Sequence, residues 1–176
     1  MQTDIAAQKA ASTQLPTGTE FAARITRAID ASDKTGRPFF VMIFQIANLE
    51  SFRKRRSDTV VYNLQREIGM AMRKVIHSSQ FVGRFQEGFG LVFDAVDLGE
   101  MDSIARKLGI LIQNVIKAGH YNDLSGRWTE IVYQFLNPSA PIMIFPRVGW
   151  AVYPRDGRNA QDVVKRALCH IQELSR

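Results

Sequence analysis

A single cysteine, Cys169, in 176 residues excludes an internal disulfide. It lies among apolar helical positions, so a buried, unreactive thiol is expected there. The three histidines, His77, His120 and His170, show none of the short spacings that mark a metal site, so no metal is expected from them. No Ser-His-Asp or Cys-His arrangement can be read, and there is neither an internal repeat nor a low-complexity linker. No stretch reaches the ~18 uncharged apolar residues of a membrane span. The longest apolar runs, Phe39 to Phe44 and Ile142 to Phe145, have the length of strands. Met1-Gln2-Thr3-Asp4 offers no basic segment or apolar core of a secretory signal, and a cytoplasmic location is the expectation.

What is present suits one compact domain. Hydrophobic residues make up 45% of the chain, and a chain of this size buries roughly 70% of its unfolded surface. The formal charge is +6. Much of the excess sits in one run, Arg53-Lys54-Arg55-Arg56. Such a balance attracts anions without choosing among nucleic acid, nucleotides, acidic membranes and acidic proteins. As a structural feature alone, the run reads as a solvated helix end.

Residues 1–14 are polar and Ala-rich, a tail or the end of a lead-in helix; the domain is assigned to 15–176. Thr17 and Glu20 have capping-box spacing, and Phe21, Ile25 and Ile29 continue a helix to about Ser32. Asp33 to Pro38 reads as a loop and Pro38 to Ile46 as a buried central strand. Leu49 and Phe52 suggest a helical turn. Val61, Leu64, Ile68, Met72 and Val75 define one face of a helix over Asp58 to His77. Gln80 to Gln86 and Phe89 to Phe93 form a hairpin whose turn is placed at Glu87-Gly88, with Gly88 and Gly90 explained by turn geometry. Asp97 and Glu100 look like a second capping box before a helix carrying Met101, Ile104, Leu108, Leu111 and Val115. Gly119 to Ser125 reads as a loop, while Trp128 to Leu136 is either strand or insertion. Ile142 to Val152 reads as a strand, Tyr153 to Gly157 as a turn, and Val163, Val164, Ala167, Ile171 and Leu174 as a last helix. The order predicts an α+β fold: a central, mostly antiparallel sheet flanked by helices.

At this point the chain resembles the GGDEF, or diguanylate cyclase, family over roughly residues 15–175. Leu15-Pro16-Thr17-Gly18-Thr19-Glu20-Phe21 is similar to the family's L-P-N-R-x-x-F opening. Gln45-Ile46-Ala47-Asn48-Leu49 falls where the family has D-x-D-x-F, and Gly83-Arg84-Phe85 where it has A-R-Y. The most specific match is Val148-Gly149-Trp150-Ala151-Val152-Tyr153-Pro154-Arg155-Asp156-Gly157, against S-x-G-x-A-x-Y-P-x-D-G. The fold implied is the nucleotidyl-cyclase-like palm.

The resemblance also implies what is missing. Family enzymes condense two GTP molecules to cyclic di-GMP, using carboxylates to hold a divalent metal that needs hard oxygen ligands. Here the first of those positions is Gln45 and its companion Ala47. The signature corresponds to Gln86-Glu87-Gly88-Phe89-Gly90, with the acidic place at Gly88; sliding by one residue puts Glu87 there but leaves Gln45 unchanged. The guanine-reading Asn falls near Arg53. Its acidic companion aligns with Asp58, which reads first as a helix N-cap. Near the C-terminus the family's Tyr and Lys are replaced by Gln172 and Ser175. The product-inhibition motif R-x-x-D corresponds to His77-Ser78-Ser79-Gln80, lacking the guanidinium and carboxylate that grip a guanine and phosphate. Arg73, Lys74 and Arg84 offer material for a different anion site. Trp150 is assigned to the core, with Trp128 left open.

The expectation is a non-catalytic GGDEF-like domain of bacterial cyclic di-GMP-linked signalling, with no cofactor, working through a protein partner. Arg53, Lys54, Arg55 and Arg56 are the candidate surface for an acidic one. The alternative is a receptor for cyclic di-GMP or GTP at a non-standard site. Nucleic acid is not expected as a partner, and a dimer is left open.

Overall fold

The structure, a computed structural model, describes residues 15–77, 80–94, 97–121 and 143–173. The elements are α1 (Gly18–Thr35), β1 (Phe39–Ala47), α2 (Leu49–Arg55), α3 (Asp58–Val75), β2 (Phe81–Phe85), β3 (Gly88–Asp94), α4 (Leu98–Ala118), β4 (Phe145–Tyr153), α5 (Ala160–Cys169) and β5 (Gln172–Glu173). The strands form one sheet in the order β2-β3-β1-β4-β5, with every neighbouring pair antiparallel. The expected α+β architecture is what the chain adopts.

The unbroken apolar run of β1 follows from its place at the centre. Successive side chains point to opposite faces of a strand. Phe40, Met42, Phe44 and Ile46 enter a core with α3 and α4, while Phe39, Val41 and Ile43 enter a second core with α1 and α5. A strand covered on both faces has no polar side to show. Phe21, Phe40, Phe44 and Phe89 are among the largest fully buried side chains, each stabilising the fold by about 2–3 kcal/mol.

Local signals set the ends of the elements. Thr17 and Glu20 form the expected capping box: the Thr17 amide donates to Glu20 Oε2 at 2.7 Å, and the Glu20 amide to Thr17 Oγ1 at 3.4 Å. This helix runs to Thr35 rather than Ser32, because Gly36 takes the left-handed conformation (φ 68°) that closes it. Asp97 caps α4 through the Gly99 amide at 3.1 Å, without a reciprocal bond from Glu100. The N-cap of α3 is Ser57, not Asp58, since Ser57 holds the extended backbone and Asp58 already belongs to the first turn.

Three further expectations change. The hairpin turn lies at Gln86-Glu87, with Gln86 carrying the positive φ of 51°, and both glycines lie in β3. Their cause is close approach. A Cβ on Gly88 would stand 1.9 Å from the Phe44 carbonyl oxygen, and one on Gly90 2.5 Å from the Phe21 ring. The last helix stops at Cys169, and the backbone turns so that Gln172 and Glu173 pair with Val148 and Arg147, covering the outer edge of β4. Cys169 is exposed: the buried stripe of α5 is Val163 and Ala167, and two residues beyond Ala167 the helix has turned away from the sheet. Trp150 is half-buried, packed against the core with its ring centroid 6.3 Å from that of Phe40. The segment around Trp128 to Leu136 lies outside the described residues.

Candidate functional site

A cleft of about 340 Å³ opens where β1 ends, lined by Gln45, Ala47, Glu50, Gln86, Glu87, Gly88 and Arg147 among others. The fold gathers these from four places in the chain. Antiparallel register sets Arg147 of β4 directly beside Gln45 of β1. The β2–β3 turn brings Gln86 and Glu87 alongside, since Phe44 pairs with Phe89. The sharp corner after β1 is made by Asn48 in the left-handed conformation (φ 60°), and its side-chain amide donates to the Met143 carbonyl at 2.9 Å. The positions singled out from sequence at 45, 47, 86, 87 and 88 therefore do share one site.

The chemistry of that site is set by charge pairing. Arg53 of α2 donates to Glu87 at 2.6 Å and to Glu50 at 3.0 Å, and its Nε lies 3.5 Å from Asp58. The hydrogen bond that Arg53 donates to Glu87, the largest influence, holds its guanidinium above its ordinary pKa. Thus Arg53 and Asp58, aligned separately from sequence, are one ion-pair network joining α2, α3 and the hairpin. Glu50 and Glu87 are carboxylates lining the cleft, and a cation of the chain itself, Arg53, pairs with both. Position 88 has no room for a side chain.

The donor set does not suit a divalent ion. Gln45 offers a neutral amide, Gly88 has no side chain, Glu50 and Glu87 are both engaged by Arg53, and Arg147 adds a positive charge at the strand position beside Gln45. The Arg147 Nε is buried and has no hydrogen-bond partner among the described residues. Sequence reading missed Arg147. The signal was available in the motif strand, where the family's S-x-G places a small hydroxyl and this chain has Arg147.

Behind the hairpin, Arg84 is drawn inward rather than joining Arg73 and Lys74 at the surface. Its Nη2 donates to Gln65 Oε1 at 2.7 Å, and Gln65 Nε2 donates to the Glu87 carbonyl at 2.8 Å. Burial lowers the Arg84 pKa. Of the His77–Gln80 slot, Ser78 and Ser79 lie outside the described residues. Gln80 accepts the Asp94 amide at 2.9 Å, closing the end of β3. In the basic run, Lys54 lies 4.0 Å from Glu50 and Arg56 stands 5.9 Å over the Phe52 ring.

An antiparallel palm whose central strand and neighbouring hairpin frame a cleft defines a class: the fold is that of GGDEF domains. No protein-family model matches the sequence, and no curated protein does; solved structures carry the likeness. A sensory box/GGDEF family protein from Caulobacter crescentus CB15 matches with a TM-score of 0.62 at 16% identity, over 92% of this chain and 93% of that one. The GGDEF domain of DgcB from Caulobacter crescentus, solved in complex with c-di-GMP, matches at 0.69 and 14%, over 90% and 84%. Diguanylate cyclase SiaD from Pseudomonas aeruginosa, in complex with its activator SiaC, matches at 0.64 and 16%, over 96% and 60%. At such identities the shared property is the fold.

Proposed function

We propose that this chain is a GGDEF-like domain that does not make cyclic di-GMP and acts in cyclic di-GMP-linked signalling through contact with another protein. The observation that carries this reading is the pairing of Gln45 with Arg147 at the floor of the cleft, where metal chemistry needs anionic oxygen. The occupied Glu87 supports it. A domain relieved of catalysis retains a shaped surface, and a fold does not dictate an activity. SiaD, a structural neighbour, is seen with a protein activator. The test is incubation with GTP and magnesium followed by chromatography. No cyclic di-GMP is expected, and its accumulation would overturn the proposal.

A second reading has its own observation. The buried Arg147 Nε, without a hydrogen-bond partner among the described residues, in a cleft of this size suits a nucleotide held without turnover, and DgcB is seen with c-di-GMP bound. Calorimetry separates the two readings: one-to-one binding of GTP or cyclic di-GMP that Arg147→Met abolishes supports a receptor, and a flat trace at high concentration rejects it.

A further inference from the structure

A second concavity, rich in cations, lies at the opposite end of β4 from the cleft. Seven steps along the chain, from Arg147 in the cleft to Pro154 in the groove, separate them, about 23 Å at ~3.3 Å per residue. It is a groove of about 580 Å³ between the turn that follows β4 and the exposed face of α5. Four cations, Arg155, Arg158, Lys165 and Arg166, face two carboxylates, Asp156 and Asp162.

Both carboxylates are already committed to the fold. Asp156 accepts the Val152 amide at 2.8 Å and two bonds from Arg155, at 3.0 and 2.8 Å. Asp162 accepts from the Asn159 side chain at 2.8 Å at the start of α5. Arg158, Lys165 and Arg166 form no ion pair among the described residues, and all three are exposed. Lys165 and Arg166 stand on the solvent side of the helix because Val163 and Ala167 take the sheet side. Arg155 stacks its guanidinium 5.9 Å over the Trp150 ring and is held there by Asp156. The groove thus has one cation fixed on its turn side, Arg155, and three exposed ones without a direct ion pair among the described residues, of which Arg166 also feels the Asp156 charge at longer range.

The geometry points to this groove as the docking site for an acidic segment of a partner protein, one whose Asp and Glu side chains meet Arg158, Lys165 and Arg166. This rests on the reading that the domain works through a protein contact, and it moves that contact away from Arg53–Arg56. A concave seat with a short cluster of cations fits a short acidic stretch of polypeptide. A duplex nucleic acid is tracked by a longer basic stripe, and an interfacial membrane element presents apolar side chains beside its cations, which the exposed face of α5 lacks.

The test uses a fluorescein-labelled oligoglutamate peptide and fluorescence anisotropy at ~0.15 M salt. Arg158→Glu with Lys165→Glu and Arg166→Glu should weaken binding by about tenfold or more. Reversing three exposed lysines elsewhere, Lys34→Glu with Lys54→Glu and Lys74→Glu, should change it by less than about twofold if position rather than net charge matters. Cys169, the sole cysteine, borders the groove. Saturating peptide should therefore slow its alkylation in the unmodified protein, a readout that stands even if the triple variant does not fold. Absence of peptide binding, equal losses in both triples, or unprotected Cys169 would each overturn the inference. Tighter binding of polyphosphate or duplex DNA with protection of Cys169 would overturn it in favour of a phosphate site. Failure of the wider functional reading shows instead as turnover of GTP.

Discussion

The two ends of β4 carry cations in contrasting states, apart from Arg147, whose buried Nε has no hydrogen-bond partner among the described residues. At the hairpin end, Arg53 is met by Glu50, Asp58 and Glu87, and Arg84 by Gln65, so positive charge there ties elements together. At the far end, Asp156 restrains Arg155, and Arg158, Lys165 and Arg166 have no ion pair among the described residues. In sequence the first region looks the more cationic, because four basic residues are contiguous there. In space the second has more exposed charge, because carboxylates from other elements form direct ion pairs with Arg53 at the first, whereas Arg158, Lys165 and Arg166 have none among the described residues. Contiguous charge is thus a poor guide to available charge.

That contrast can be pressed from the hairpin end first. Gly88→Asp, which returns an acid to the signature position, should destabilise rather than restore, since its Cβ would meet the Phe44 carbonyl at 1.9 Å. A loss on the order of 3 kcal/mol is expected, lowering the melting temperature by about 6–12 °C in thermal denaturation. Gln65→Leu removes the acceptor of the inward-drawn Arg84 and the donor to the Glu87 carbonyl. Urea denaturation should show a loss of about 2 kcal/mol.

The far end has its own anchor. Asp156→Asn weakens the Arg155 pair and should cost about 1 kcal/mol. It also changes the response to acid. The Arg155 hydrogen bonds hold the Asp156 carboxyl below its ordinary value of 3.8. The stability from this group is complete above 3.8 and is lost as pH falls through the lower folded value. The native protein should therefore lose stability more steeply below about pH 4 than the variant does, as read by denaturation across that range.

The smallest expected effect is that of Arg53→Met. The guanidinium is part-exposed and its partners more so. Screening limits the loss to about 1 kcal/mol or less, and the difference from the native chain should shrink as salt is added. A loss that persists in high salt would mean that the arginine acts through packing of its stem, and the contrast between the two ends would need redrawing.

Much of the scaffold was determined by the order of residues alone. Two-faced apolar β1, the Thr17–Glu20 cap and the periodic faces of α1, α3 and α4 are local properties. A strand, a cap or an amphipathic stripe declares itself within a few residues, and so does the absence of acid at 45 and 88. The tertiary structure alone decided what depends on partners distant in the chain. Gly88 and Gly90 serve close approach to Phe44 and Phe21, Cys169 faces solvent, Asp58 answers Arg53 rather than a helix end, and Arg147 stands beside Gln45. The physical reason is that steric contact and charge neutralisation act over a few ångströms of space, and residues a hundred positions apart enter that range only once the sheet has formed.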